Sequence, residues 1–345
     1  MLNPVLTHQR SAIARRRPPA RAVAAPALIL LASALGRPDG VEACASCGCT
    51  LSADAAMGYS AIPGWRVSLE YDYIHQDQLR SGTSAVAAVP DGHELERETL
   101  NRYLTAGLSY GPSSSWNFSL LIPYVERTHS TYGTFSSTQP LNDLSSSRSS
   151  SLGDLRLIGS YQGLLPTRNL GIQLGVKLPT GHYGTAIDFY GGPNAGTPLD
   201  ASLQPGTGST DVIVGAYYYR AVSQDFDVFI NGQFQSAVRH HMDRPGNDYR
   251  PGNSTTVSIG LRYEANARWV PQLQVNLLHK TPDQGALADI QSTAGTVAYA
   301  SPGLTVQVAG RLHVFAFVQV PLYSNLYGYQ LFPRYTASVG ASYAF

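Results

Sequence analysis

Cys44, Cys47 and Cys49 lie within the six residues CASCGC (44–49), and they are the three cysteines of the chain. Thiolates at this spacing fit several kinds of chemistry. A Cys44–Cys47 disulfide would leave Cys49 odd. All three sulfurs could hold a soft metal such as Cu(I), or supply part of a zinc or iron–sulfur site with a fourth ligand from elsewhere. Cys44 could also be acylated, although Glu42 and the polar RPDG (37–40) suit lipidation poorly. Covalent haem needs a histidine after CxxC, and Gly48 stands there instead. Other catalytic patterns are lacking. There is no HExxH, and the GxSxG match GLSYG (107–111) lies where a predicted strand runs into a short turn, without the strand-to-helix elbow that would expose a nucleophile. His240 and His241 in RHHMD (239–243) are neighbours that an extended strand would point to opposite faces, a poor chelate. The chain reads as a non-enzyme. Which reading of the cysteines applies depends on their compartment, so the surrounding elements come next.

The N-terminus reads as a targeting segment. Arg15, Arg16, Arg17 and Arg21 precede the apolar run AVAAPALILLASALG (22–36), too short for a membrane span. Val41 and Ala43 occupy small-residue cleavage positions, which makes 1–43 a signal peptide and Cys44 the first mature residue. Charged residues make up 14% of the chain and the formal net charge is +1, which argues against a nucleic-acid partner. No later stretch reaches the ~20 apolar residues of a membrane helix.

From residue 64 onward the hydropathy has period two. In LGIQLGVKL (170–178), Leu170, Ile172, Leu174, Val176 and Leu178 share one face, while Gly171, Gln173, Gly175 and Lys177 share the other. RYTASVGASYAF (334–345) behaves alike, with Tyr335, Val339, Tyr343 and Phe345 on one face. Twelve such segments can be placed, near 64–75, 99–110, 116–127, 153–163, 169–179, 209–220, 225–238, 254–265, 269–280, 302–310, 312–323 and 334–345. Short connections alternate with long ones at 76–98, 128–152, 180–208, 239–253, 281–301 and 324–333. The pattern predicts an all-β fold: a transmembrane antiparallel β-barrel of about twelve strands, with short periplasmic turns and long extracellular loops, in the outer membrane of a Gram-negative-type bacterium. Trp65, Trp116 and Trp269 mark one interface and Tyr71, Tyr73 and Tyr124 the other; parity turns Tyr323 inward. A secreted β-sandwich would share the alternation, but nothing in it would require the alternating loop lengths. The barrel spans 64–345, and 44–63 becomes a periplasmic segment carrying the cysteines.

Parity also assigns the lumen. Arg66, Glu70, Asp72, Asp154, Arg156, Lys177, Asp211, Asp227, Arg262, Glu264 and Lys280 turn inward as pore-lining candidates, together with several Asn and Gln side chains. Their mixed signs predict ion pairs across the interior. Such a lining either fills the barrel or sets which solutes pass. Twelve strands fall between the eight that side chains fill and the sixteen that leave a water channel, so the loops decide. The glycine-rich stretch 180–208 is the loop expected to fold back into the mouth.

KLPTG (177–181) and LQPGTGSTD (203–211), the latter running into a strand, resemble the outer-membrane transporters named for the MetA pathway of phenol degradation, and the resemblance covers about 64–345. It implies uptake of small aromatic or hydrophobic compounds and carries no assigned substrate residues. CASCGC is where the chain departs from the family's general pattern. The expected function is passive passage of small solutes through a barrel in outer-membrane lipid, with no cofactor beyond a soft metal at Cys44, Cys47 and Cys49. The alternatives are a metal-handling or redox barrel that meets a periplasmic partner through the cysteine segment, and a purely structural barrel.

Overall fold

The computed structural model describes residues 63–266 and 268–345; the expected signal peptide (1–43) and the cysteine segment (44–63) fall outside them but for residue 63. The described chain is almost entirely strand: β1 (Gly64–Gly82), β2 (Ser84–Ala85), β3 (Glu94–Ser113), β4 (Trp116–Thr134), β5 (Ser145–Leu152), β6 (Leu155–Tyr161), β7 (Leu170–Leu178), β8 (Ser209–Ala221), β9 (Phe226–His240), β10 (Asp243–Arg244), β11 (Asn247–Asp248), β12 (Ser254–Tyr263), β13 (Trp269–Lys280), β14 (Gly295–Ala309) and β15 (Leu312–Ala344). Its one described helical turn is Ala201–Leu203, inside the long glycine-rich loop.

Each long strand bonds antiparallel to the next, and β15 returns to β1 from Arg66↔Ala344 onward, so the sheet closes. Closure is what lipid demands, because an open edge in hydrocarbon leaves N–H and C=O groups unpaired. β5 and β6 form one crossing, both bonded to β4 and interrupted at Gly153–Asp154. β15 forms two: residues 312–326 pair with β14, and 326–344 with β1. The chain doubles back at Tyr327–Gly328, and the Ala344 N–H donates to the Arg311 carbonyl (3.2 Å). Gly328 has φ 61°, in the left-handed region, and a Cβ there would strike the Gln291 carbonyl, so this tight turn requires glycine. The ring therefore has the twelve crossings expected.

β13 shows why the sequence folds this way. Trp269, Pro271, Leu273, Val275 and Leu277 are exposed, while Gln272, Gln274 and Asn276 between them are buried. Apolar residues outside and amides inside invert the pattern of a water-soluble sheet; the outward face is satisfied by lipid and the inward face by hydrogen bonds. At the short-turn end the outward rings join into a girdle: Trp65 meets Tyr110 (4.6 Å between centroids), Trp116 meets Phe118 and Tyr161, and Tyr343 meets Phe345.

The strands outrun the predicted segments at the long-loop end. β1 continues to Gly82, β3 begins at Glu94, β5 emerges from the expected loop 128–152, and β14 from 281–301. In place of a loop, 324–333 holds the tight turn inside β15. Above the lipid both faces of a strand meet polar surroundings, so SSSRSSSL (145–152) keeps the backbone of a strand without its hydrophobic contrast. Tyr323 is a second correction. One extra residue on β15 between its partners to Ala298 and Tyr299 makes a bulge, and Tyr323 turns outward, 47% exposed.

Candidate functional site

The lumen has two parts. In the short-turn half, aromatic rings lie against the inner wall. Phe229 stands directly opposite Gly260, Phe317 opposite Gly303 and Tyr217 opposite Gly171, and Phe315 covers Gly340. At each of these glycines an added Cβ would overlap the ring, so the missing side chain is the ring's seat. The Tyr217 hydroxyl donates to Gln162 Oε1 (3.0 Å), which gives the one polar tip among these rings a partner. A flanking amide group completes the wall: Gln272 Nε2 donates to the Thr305 hydroxyl (3.0 Å), and Asn276 Nδ2 to the Ser301 hydroxyl (2.8 Å).

In the long-loop half, 179–208 folds into the mouth as the sequence suggested. Phe189, Leu199 and Leu203 form its own apolar cluster. Ala201 joins Met242 and Tyr249 of a second loop, against which Leu287 and Ala288 of a third pack. Three loops thus make one cap.

Ionic groups of the wall fasten that cap. Lys177 Nζ donates to Asp154 Oδ2 (3.0 Å) and lies 3.2 Å from Asp211 Oδ2, with all three side chains below 10% exposure. Asp154 accepts in turn from the Gly181 N–H (3.1 Å) and the Thr207 N–H (3.0 Å), one at each end of the loop. Asp211 also accepts from Ser209 (2.6 Å) and Gln235 (2.6 Å). A lone buried charge would be costly, but these three share one another and several donors, which repays much of their desolvation.

A second fastening was not foreseen. Arg127 on β4 donates through Nη1 to the carbonyls of Leu203 and Gln204, through Nε to Asn101 Oδ1, and through Nη2 to the Tyr103 hydroxyl. Asn101 donates to Gln76 (2.9 Å), and Gln76 to the Leu331 carbonyl (3.1 Å), a polar chain from β15 through β1, β3 and β4 to the loop. Beside it, Thr99 and His129 share a hydrogen bond (2.8 Å), and the His129 ring meets Phe189. Arg127 escaped notice because its inward neighbours on β4 are Val125, Pro123 and Leu121, an apolar run that hides the one long cation among them. A third fastening is Asp283, wholly buried, which takes the Tyr249 hydroxyl (2.9 Å), the Gly252 N–H (2.7 Å) and Lys280 Nζ (2.9 Å).

Of the pore-lining candidates, then, Asp154, Lys177 and Asp211 come together, and Lys280 meets Asp283. Arg262 pairs with Glu264 on its own strand side (3.1 Å). Glu70 and Asp72 are buried on the inner face of β1, and the Ser338 hydroxyl donates to Asp72. Arg66, Arg156 and Asp227 are half-buried. Glu96 was assigned no role, yet a bulge in β3 between Glu96 and Glu98 turns it inward, 3% exposed. Glu94, Asp200 and Asp289 lie near enough to repel it, offset in part by the backbone of Leu331. Among the described residues no group of three His, Cys, Asp or Glu could hold a metal ion; Cys44, Cys47 and Cys49 are outside them.

A family model described as "Putative MetA-pathway of phenol degradation" matches residues 80–325. An outer-membrane channel from Pseudomonas putida F1 shares the fold at TM-score 0.57, with 13% identity, covering 83% of this chain and 98% of that one. Weaker likenesses include the CymD monoaromatic hydrocarbon channel (TM-score 0.43, 10% identity, 82% and 89% covered) and the Ralstonia pickettii toluene transporter TbuX (0.41, 11%, 82% and 90%). No curated protein matches. The barrel is an outer-membrane one, its short turns periplasmic and its long loops extracellular.

Proposed function

The chain belongs to the family of the MetA-pathway of phenol degradation, and on that premise we propose that it passes small hydrophobic or aromatic solutes through its lumen, with the 179–208 loop as gate. One observation carries this reading: the mouth is occupied by a loop fastened through side chains of the wall, at Asp154 and Arg127, instead of by the wall itself. Polar fastenings exchange readily with water when they open, whereas ladder bonds of the barrel do not. Below the cap, Tyr217, Phe229, Phe315 and Phe317 line the inner wall at 5% exposure or less, so a solute reaches their faces once the side chains packed over them part, and planar compounds gain from such faces by offset or edge contact. Some of the polar groups between them are paired, Gln272 with Thr305, Asn276 with Ser301 and Arg262 with Glu264, which lowers the cost of an uncharged guest sliding past.

The mechanism is diffusion. A solute reaches the extracellular mouth, the loop shifts off Arg127 and Asp154, and the solute moves down its gradient over the aromatic wall. Purified protein in liposomes tests this by flux of a phenol, a sugar and an amino acid. The phenol should cross fastest. No flux of any of the three, together with no single-channel steps in planar bilayers, would end the proposal.

A further inference from the structure

The register of the sheet sorts the lipid face of β1, β3, β4 and β5 into rows. From the periplasmic end they read Trp65–Tyr110–Phe118, then Val67–Leu108–Leu120, Leu69–Ala106–Ile122, and Tyr71–Leu104–Tyr124–Leu152. All four rows are apolar. The next row is Tyr73–Arg102–Glu126–Ser150, and the one above it contains His75 and Arg148. The change from hydrocarbon to headgroup therefore falls between Tyr124 and Glu126. Trp65 to Tyr73 spans nine residues, which matches the ~9–11 a tilted strand needs to cross.

Besides Arg97, exposed in the bulge near the start of β3, three ion-paired groups face outward here above the boundary. His75 pairs with Glu98 (3.4 Å) and Arg334 with Asp77 (3.1 Å), one cation to one carboxylate. The third is different. Arg102 (3.2 Å) and Arg148 (2.9 Å) both donate to the same oxygen of Glu126, so the group carries a surplus cation. The two guanidinium side chains are 39% and 64% exposed, and each uses one nitrogen on Glu126. Among the described residues, the extracellular halves of β7, β8, β12, β13 and β14 present no outward Asp, Glu, Lys or Arg.

We propose that Arg102 and Arg148, aimed by Glu126, grip a phosphate of the phosphorylated glycolipid in the outer leaflet. Guanidinium groups suit this task, since their planar forks match phosphate oxygens two at a time. The position suits it too: the pair stands one and two rows above the outer tyrosines, at the depth of a headgroup, on the wall instead of in a loop. Glu126 has the role of a positioning residue. It holds both forks against the barrel before lipid arrives, which reduces the ordering cost of binding.

Native mass spectrometry of the detergent-solubilised barrel tests this with bisphosphorylated lipid A, dephosphorylated lipid A and inorganic phosphate as probes. The wild-type barrel should retain bisphosphorylated lipid A about tenfold more tightly than the dephosphorylated form. R102Q/R148Q should lose that preference while keeping the gel mobility of a folded barrel, and R334Q should keep it. R102K/R148K, which preserves charge without the fork, should fall between and serves if the glutamine pair does not fold. Equal retention of the two lipids by wild type, or an unaltered preference in both double variants, would overturn the proposal. Complete displacement by millimolar inorganic phosphate would overturn it as well, by making the site one for free anions.

Discussion

The two halves of the lumen are filled by different physics. The periplasmic half is fitted by shape: rings over glycines, with each ring held where a Cβ is missing. The extracellular half is fitted by charge and hydrogen bonds, with Lys177, Arg127 and Asp283 joining loops to the wall. Shape fitting is insensitive to salt and has no second arrangement of similar energy, because an interior packed in this way does not deform continuously. Polar fastening has such an alternative, since every group in it can turn to water. The comparison teaches that the easier motion belongs to the cap, and that the lower half, its rings at 5% exposure or less, is packed closed at rest and parts only at higher cost.

The comparison can be broken most severely at Lys177. Lys177→Met removes the cation that touches both Asp154 and Asp211 and leaves them Arg156 as the neighbouring charge, a loss of about 3 kcal/mol. The 179–208 loop should become cleavable by added protease, and single-channel conductance should rise, with the barrel still folded. Unaltered conductance alongside a cleaved loop would mean the loop is no gate. Next in size is Gly303→Val, which drives the Phe317 ring from its seat at about 1–3 kcal/mol. It should lower thermal stability without exposing the cap to protease, and Phe317→Ala added to it should recover part of the loss. If Gly303→Val also loosened the cap, the two halves would not be separate.

Glu96→Gln sharpens the picture from the other side. It removes a buried carboxyl with three acidic neighbours and keeps an amide that can still meet the Leu331 backbone, so it should stabilise the cap by about 1–3 kcal/mol, read as slower proteolysis of the loops. The smallest effect is at Asp91, in the loop between β2 and β3. Its carboxylate accepts from the Ser137 hydroxyl (2.7 Å) and the Ser137 N–H (2.8 Å), which hold its carboxyl below the usual range. A depressed folded value means that the tie is present above the pH at which a free aspartate titrates and is lost as pH falls through the folded value. The protection of the Ser137 N–H, its exchange rate corrected for the intrinsic rate at each pH, should fall on acidification, and Asp91→Asn should flatten that response.

Much of this barrel was legible because lipid enforces a simple code. β7 and β13 alternate without a fault, and their boundaries and inward residues could be read directly. The code fails where lipid ends. Ser145 to Leu152 makes a strand with no apolar face, and Glu96 and Tyr323 sit beyond bulges that shift parity by one. Asp154, Lys177 and Asp211 could be named as inward but not as partners, because register across β6, β7 and β8 is a property of the sheet and not of any one segment. Arg127 was the largest loss. Its importance comes from the carbonyls of Leu203 and Gln204, about eighty residues away along the chain, and no local pattern announces such a pair.

The interruption at Gly153–Asp154 has one more implication. β5 bonds to β4 along one edge, but along its other edge it meets the cap, where Ser146 exchanges backbone bonds with Gly191 (3.2 Å) and Tyr190 (2.9 Å). The lid therefore doubles as a substitute stave. Lifting it would strip the rim of a neighbour as well as clear the throat, and the bared amides must find water at once. Such a lid is tethered by its own masonry, and brief, shallow excursions cost it far less than full withdrawal.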